Sequence, residues 1–316
     1  IPYVTSYYSP RWGFCLTHRQ HEALPEGDYQ VVIDTDHIDG SLTIGECVLP
    51  GESEEEVLIS TNICHPSLAN NELSGPLVSA FLGRQILRMN DRRLTYRFVF
   101  LPETIGSICY LKRYGEHLKQ RMIAGYQIIC VGTDHPYVYK ESRAGDTLAD
   151  RAAKSTLQGI GYQPFQVERF RPDWGSDERQ YCSPGFNLPL GSLMRSVYDA
   201  YPEYHNSLDN RDLISFPAMA ETVRAYADIL RQIELNRVYR NLQPYGEVQL
   251  GKRGLYPSLG NFQEGMDQVS ALLWLLNMSD GAHDLMEIAE RSEIDLRLLD
   301  YFARLLCKLD LLEVVE

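Results

Sequence analysis

Short, largely apolar runs alternate along this chain with longer stretches whose apolar residues recur at the helical period. Residues 57–63 open on Val-Leu-Ile and read as a buried strand. Residues 75–89 follow, with Leu77, Val78, Phe81, Leu82, Ile86 and Leu87 near helical spacing. Residues 96–101, 125–131, 165–170 and 188–194 continue the pattern as strands. Residues 105–118, 146–158 and Phe216–Leu235 read as helices, and 171–183 as a polar, glycine-containing loop. Strands that are apolar throughout are covered on both faces. The expected architecture is therefore an α/β fold, a mostly parallel sheet sandwiched by helices.

The two ends of the chain depart from this alternation. Residues 1–25 mix Tyr3, Tyr7, Tyr8, Trp12 and Phe14 with polar residues and read as irregular, packed structure. Two strands are expected at 29–33 and 41–49, with Asp39-Gly40 as a turn signal between them. Residues 236–262 hold Gly, Pro and Tyr and read as a linker. Helices at 269–276, 285–290 and 296–309, then a strand at 312–315, have the outline of a small winged-helix unit. The expected division is a core over residues 1–240 and a winged-helix unit over 263–316. The sequence starts at Ile1-Pro2-Tyr3-Val4 without an initiator Met, so an N-terminal part of a longer protein is expected to be missing.

Charge narrows the partners. The chain of 316 residues carries a formal net charge of −13. Residues 264–316 alone hold twelve Asp and Glu against four Lys and Arg, net −8. Readers of DNA need positive charge facing phosphate, so no nucleic acid is expected as a partner. The winged-helix unit reads instead as a docking or dimerising module, which leaves a homo-oligomer open. No apolar run is long enough to suggest a membrane span, and no anionic membrane surface is expected to attract the chain. The seven cysteines are scattered without C-x-x-C spacing. Free thiols in a reducing, cytoplasmic setting follow.

Polar groups that could carry chemistry gather where strands end. His65, Asn71 and Glu72 lie between the strand at 57–63 and the helix at 75–89. Glu103 follows the strand at 96–101, and Asp134 follows the strand at 125–131. Asp177 lies in the loop 171–183, and His205 follows the last strand of the core. In an open α/β sheet these positions share the carboxyl edge. Taken singly each has an ordinary use: Glu103 as a helix cap, Asp134 in a turn, His205 bonded within its loop. Together, two histidines with carboxylates from separate strands suit zinc better than calcium or magnesium.

The segments C-H-P-S-L-A-N, P-E-T-I-G-S, W-G-S-D-E-R-Q-Y and Y-P-E-Y-H-N-S-L-D occur in that order. The chain thereby resembles the di-zinc aminopeptidase and glutamate carboxypeptidase superfamily. More closely, over nearly its whole length, it resembles a bacterial branch with an aminopeptidase-like core and a C-terminal winged helix. The resemblance implies His65 and His205 as zinc ligands, Glu103 as general base or ligand, and Asp134 or Thr133 at the place of a further acidic ligand. Asp177 becomes a loop carboxylate near the substrate. The metal-bridging Asp of the superfamily falls on Asn71, with Glu72 beside it as a substrate-side acid or a substitute. The Asp that orients the first His falls on Ser67, so that orientation is expected to be lost. A neutral amide bridges two dications poorly, so one or two zinc ions are expected, the second bound weakly. On an extended loop, neighbouring side chains point opposite ways, so Glu72 is expected to turn away from the place of Asn71.

The leading expectation is a metal-dependent hydrolase of amide bonds, an aminopeptidase on small peptides or amino-acylated metabolites. The other reading is a non-catalytic binding or regulatory protein that retains the aminopeptidase fold with a degenerate metal site.

Overall fold

The computed structural model describes residues 1–4, 9, 11–36, 38–65, 67–159, 161–255 and 262–315, with 262–267 as backbone alone. Tyr7, Tyr8 and the 256–261 part of the expected linker lie outside the described residues. The chain divides into two compact units, Ile1–Ala227 and Asp228–Glu316.

The first unit is built on seven strands: β1 Gly45–Leu49, β2 Glu56–Asn62, β3 Thr95–Leu101, β4 Met122–Gln127, β5 Tyr137–Lys140, β6 Phe165–Glu168 and β7 Leu190–Met194. They form one sheet in the order β1-β3-β2-β4-β7-β5-β6. The four central strands β3, β2, β4 and β7 run parallel. β1 is antiparallel to β3, and β5 is antiparallel to β7 while β6 runs parallel to β5. The sheet is thus mostly parallel with antiparallel additions. Six strands of the core match expected runs, and β5 is an addition. Its Tyr-Val-Tyr-Lys sequence gives little apolar signal, because its last residue is a lysine buried to 0% exposure. The expected strand at 29–33 is absent. Val32 is 79% exposed there, since alternation makes a strand only where an edge is free to pair.

Helices α2 Ser74–Ile86, α3 Ile105–Arg121, α4 Leu148–Gly159 and α5 Glu178–Tyr181 cover the sheet, after a short α1 at His18–Glu22 and before a long α6 at Phe216–Leu235. The two faces can be read from β2. On one face, Thr61 Oγ1 bonds the Ile128 carbonyl at 2.7 Å. A Cβ on Gly75 of α2 would meet that carbonyl at 2.2 Å and Thr61 Oγ1 at 2.4 Å. Only glycine lets α2 start this close to the sheet. On the other face Leu58 packs with Tyr110, Leu111 and Leu118 of α3 and Tyr181 of α5. Ser60 meets the Tyr181 hydroxyl there at 3.0 Å. Period-two alternation thus delivers Asn62, the last residue of β2, to the α3 and α5 face.

In the second unit, β8 Val238–Asn241, β9 Asp280–Asp284 and β10 Leu312–Val314 form an antiparallel sheet in the order β10-β8-β9. Helices α7 Phe262–Met278, α8 Leu285–Ser292 and α9 Leu296–Lys308 complete it. Part of the expected linker is therefore the central strand of this sheet. Four half-polar residues show no pattern until partners from 280–284 and 312–314 are in place. Asp284 closes a capping box with Glu287 at the start of α8, and Asp295 caps α9. Among the described residues no helix is long and apolar enough to cross a membrane.

Candidate metal centre

Because β2, β3, β4 and β7 run parallel, the loops after them share one edge of the sheet. The loop after β2 enters a single π-helical turn, Ala69–Leu73, in which the Leu73 N–H reaches the Leu68 carbonyl at 3.1 Å. The buried Asp209 carboxylate accepts the N–H groups of Asn70 at 2.6 Å and Asn71 at 3.0 Å, satisfying donors that open the turn.

This turn decides the roles of Asn71 and Glu72. Consecutive residues on a helical turn fan around an axis instead of alternating, so Glu72 folds back over the loop. Its Oε1 accepts from His65 Nδ1 at 2.8 Å, and its Oε2 accepts the Cys64 N–H at 2.9 Å. Glu72 and Asn71 do point apart, but the expectation that the orientation of His65 is lost is corrected: Glu72 does for His65 what an Asp at Ser67 would have done. The Asn71 amide goes elsewhere. Its Nδ2 lies 3.5 Å from Cys130 Sγ, and its buried Oδ1 has no partner among the described residues.

Cys64, His65 and Glu72 place their ligating atoms within 4.8 Å of one another, the one such group among the described residues. The electrostatics sort them. Burial raises the Glu72 carboxyl, but the bonds from His65 and Cys64 outweigh it and hold it below its ordinary value. Glu72 is therefore an anion that only accepts, and His65 Nδ1 carries the proton. The hydrogen bond to Glu72 in turn raises the His65 imidazole against the opposing effect of burial. Burial, then the Glu72 charge, pushes the Cys64 thiol well above its ordinary value. It stays a thiol and donates to Glu72 Oε1 at 3.2 Å. With Nδ1 protonated, the ligating lone pair of a neutral His65 sits on Nε2.

His205 stands across from this ring, with centroids 5.0 Å apart. Its backbone is left-handed, φ 52°, a conformation non-glycine residues rarely adopt. Stacking on Tyr204 at 3.9 Å and a bond from the Tyr3 N–H to its carbonyl at 2.8 Å hold it there. Burial, then the charge of His65, lowers the His205 imidazole, which favours the neutral form that ligates a metal. The Tyr3 ring lies edge-on to both histidines, at 4.6 and 5.7 Å.

Glu103 follows β3. Its N–H lies 3.4 Å from Cys64 Sγ, and its Oε1 accepts from the Ser176 hydroxyl. Ser176 in turn accepts from Asn62 Nδ2 at 3.2 Å and Gln127 Nε2 at 3.0 Å. Burial raises the Glu103 carboxyl, against the lowering effect of Ser176. Asp177 Oδ1 accepts the Thr104 N–H at 2.7 Å and the Ser107 hydroxyl at 2.8 Å.

The structure thus brings His65, Glu72, Glu103 and His205 to one edge, with Asp177 behind Glu103. Asp134 is exposed and outside the group, because the turn after β4 faces it to solvent. Its neighbour Thr133 is buried and pairs with Ser196 Oγ at 2.7 Å. Among the described residues, the ligating groups that gather are Cys64, His65 and Glu72. The donors present, an oriented His65, a neutral-leaning His205 and a buried carboxylate, suit one zinc ion. Sequence reasoning passed over Ser176, Asp209 and Tyr3. The first two lie inside the W-G-S-D-E-R-Q-Y and Y-P-E-Y-H-N-S-L-D segments, and that was the available signal.

A family profile described as a domain of unknown function, DUF4910, matches residues 10–236, and a winged helix-turn-helix profile matches residues 237–314. A Clostridium acetobutylicum protein named for polysaccharide biosynthesis and an aminopeptidase-like domain is 42% identical over 315 residues, spanning 100% of this chain and 71% of its own length. The crystal structure of a Clostridium acetobutylicum protein whose name proposes a peptidase superposes with a TM-score of 0.86 at 41% identity, over 99% of this chain and 70% of that one. The zinc aminopeptidase BSAP of Bacillus subtilis shares the fold at a TM-score of 0.51 and 15% identity, over 60% of this chain and 49% of that one.

Proposed function

Since the chain belongs to the DUF4910 family and joins an aminopeptidase-like fold to a winged helix, we propose that it is a zinc-dependent hydrolase of amide bonds, an aminopeptidase on small peptides or amino-acylated metabolites. The observation that carries this reading is the hydrogen bond between His65 Nδ1 and Glu72, 2.8 Å long, with the His205 ring across from them. A carboxylate on the far nitrogen of a histidine is the usual support of a zinc ligand.

In this reading His65 and His205 hold the metal with Glu103 near by, and Glu72 fixes the tautomer of His65. Bound zinc would polarise the scissile carbonyl and lower the pKa of a water molecule. The rest is done by the chain. Glu103, with its carboxyl raised by burial and its Oε1 fixed by Ser176, accepts a proton from the attacking water and returns it to the leaving amine. Tyr3 packs edge-on against both histidine rings.

The test is zinc analysis of the purified protein, followed by hydrolysis of aminoacyl p-nitroanilides and N-acylated amino sugars with and without a chelator. Zinc bound in proportion to chain, with chelator-sensitive hydrolysis, is expected. Glu103→Gln should keep the zinc and lower kcat by roughly 10²–10⁴, the usual share of a general base. A protein that binds no zinc and hydrolyses nothing would be the non-catalytic relative of the fold.

A further inference from the structure

Glu103 occupies an unusual piece of backbone. The residue after it, Thr104, has φ 62° and ψ −67°, and the Ile105 N–H closes on the Glu103 carbonyl at 2.7 Å. This is a three-residue γ-turn of the strained, positive-φ kind, made without glycine. Such a turn persists only where its surroundings over-determine it.

Two consecutive residues of another loop do so. Asp177 Oδ1 accepts the Thr104 N–H at 2.7 Å and, through the Ser107 hydroxyl at 2.8 Å, also holds the first turn of α3. Ser176 donates to the Glu103 carboxylate itself. One residue thus grips the backbone that aims Glu103, and its neighbour grips the side chain. We propose that Ser176 and Asp177 are the positioning residues for Glu103, a two-point clamp supplied by the loop before α5.

The clamp is itself braced from below. Glu178 takes the Ser176 N–H through both oxygens, at 3.1 and 3.0 Å, and pairs with Lys140 Nζ at 2.6 Å, both side chains at 0% exposure. Lys140 also donates to the Trp174 carbonyl at 2.5 Å and lies 4.4 Å from the centre of the Trp174 ring. Gly175, at φ +140°, is required between them: a Cβ there would meet Glu178 Oε1 at 1.9 Å and Lys140 Nζ at 2.2 Å. Gln127 locks the same loop to β4, accepting the Glu178 N–H at 2.8 Å and donating to Ser176. A buried ion pair of this kind contributes little net stability. What it fixes is the height at which residues 176 and 177 meet the turn after β3.

The inference rests on Glu103 as the proton-transfer residue, so its test includes a measurement that needs no turnover. Ser176→Ala, Ser176→Thr, Asp177→Ala, Asp177→Asn and the double variant Asp177→Ala with Thr104→Gly are compared with wild type. The readouts are aminoacyl p-nitroanilide hydrolysis, zinc content, and the rate at which a carbodiimide with a small amine labels Glu103, read by mass spectrometry. Ser176→Ala and Asp177→Ala should lose roughly 100-fold in kcat with KM little changed, the scale of a 1 Å misplacement. Zinc content should hold, and Glu103 should label several-fold faster. Ser176→Thr keeps a hydroxyl and Asp177→Asn keeps an oxygen for the Thr104 N–H, so each should recover most of the loss. Thr104→Gly relieves the strained φ and should partly rescue Asp177→Ala. Unchanged kcat and labelling in both alanine variants would overturn the clamp. Should wild type hydrolyse none of the substrates, the functional reading fails, and labelling alone decides the clamp: equal labelling in wild type and both alanine variants refutes it.

Discussion

At the scale of single residues, the site is a set of groups whose charge states are set by neighbours. Glu72 is the most consequential, because it keeps a proton on His65 Nδ1 through a bond of 2.8 Å. Glu72→Gln preserves an acceptor but removes the charge that makes His65 a better ligand. Zinc affinity should fall roughly 10–100-fold, as for other supports of metal-bound histidines. Competition with a chromophoric chelator measures this, and a melting temperature near that of wild type shows that the fold is retained. Asp177 offers a second measurement. Burial lifts its carboxyl from 3.8 to about 8, and its buried Oδ2 has no partner among the described residues. Between those values the folded protein keeps a proton that the unfolded chain has released, so stability falls as pH rises through the window. The slope from this group is about 1.4 kcal/mol per pH unit. Asp177→Asn is neutral throughout, and its urea-unfolding free energy should lack that slope between pH 5 and 7. Parallel curves for the two proteins would mean that Asp177 is charged in the fold.

At the scale of elements, the strands and helices of the core were legible because apolar runs and helical periods are local signals. His65, Glu103 and His205 could be placed at one edge because parallel strands send their loops the same way. The π turn at Ala69–Leu73 was not legible, and it folds Glu72 back onto His65. No residue in A-N-N-E-L marks a π turn. It is imposed by Asp209, which takes two of its N–H groups from 138 and 139 positions away. The γ-turn at Thr104 was hidden for the same reason, since Asp177 enforces it from a distance of 73 positions. Strand β8 was missed because its partners are equally remote. The turn also yields a prediction. Asn71→Asp would add a carboxylate next to Glu72 in sequence, at a side chain that lies 3.5 Å from the neutral Cys130 thiol, which burial pushes up to about 12. Without metal that charge is uncompensated and the melting temperature should drop. Added zinc should restore it and raise the stoichiometry, since an anionic oxygen can offset repulsion between two cations about 3.5–4 Å apart. Calorimetric titration and melts with and without zinc test this. Identical stoichiometry and identical melts in both proteins would show that residue 71 does not face a second metal position.

At the scale of the whole molecule, an aminopeptidase-like unit precedes a winged helix, a form many proteins use to read DNA. The charge of this one opposes that use. Residues 264–316 carry twelve acidic against four basic residues. The helix that would enter a groove, α9, has both of its arginines paired with nearby carboxylates. Arg297 forks onto Asp295 at 3.1 and 2.9 Å, and Arg304 lies 2.9 Å from Asp300. An arginine paired in this way has little free energy to gain from phosphate, and releasing it would leave an acid facing the DNA backbone. Affinity for duplex DNA arises largely from counterions released as cations replace them, and each phosphate contact must come from a free cation. We therefore expect no binding to mixed-sequence duplex DNA tighter than about 10 µM at physiological salt, weaker than much non-specific binding. Fluorescence anisotropy of a labelled duplex at two salt concentrations provides the measurement. Sub-micromolar binding that weakens steeply with salt would show that α9 frees its arginines on contact. Binding insensitive to salt would place the contact away from phosphate.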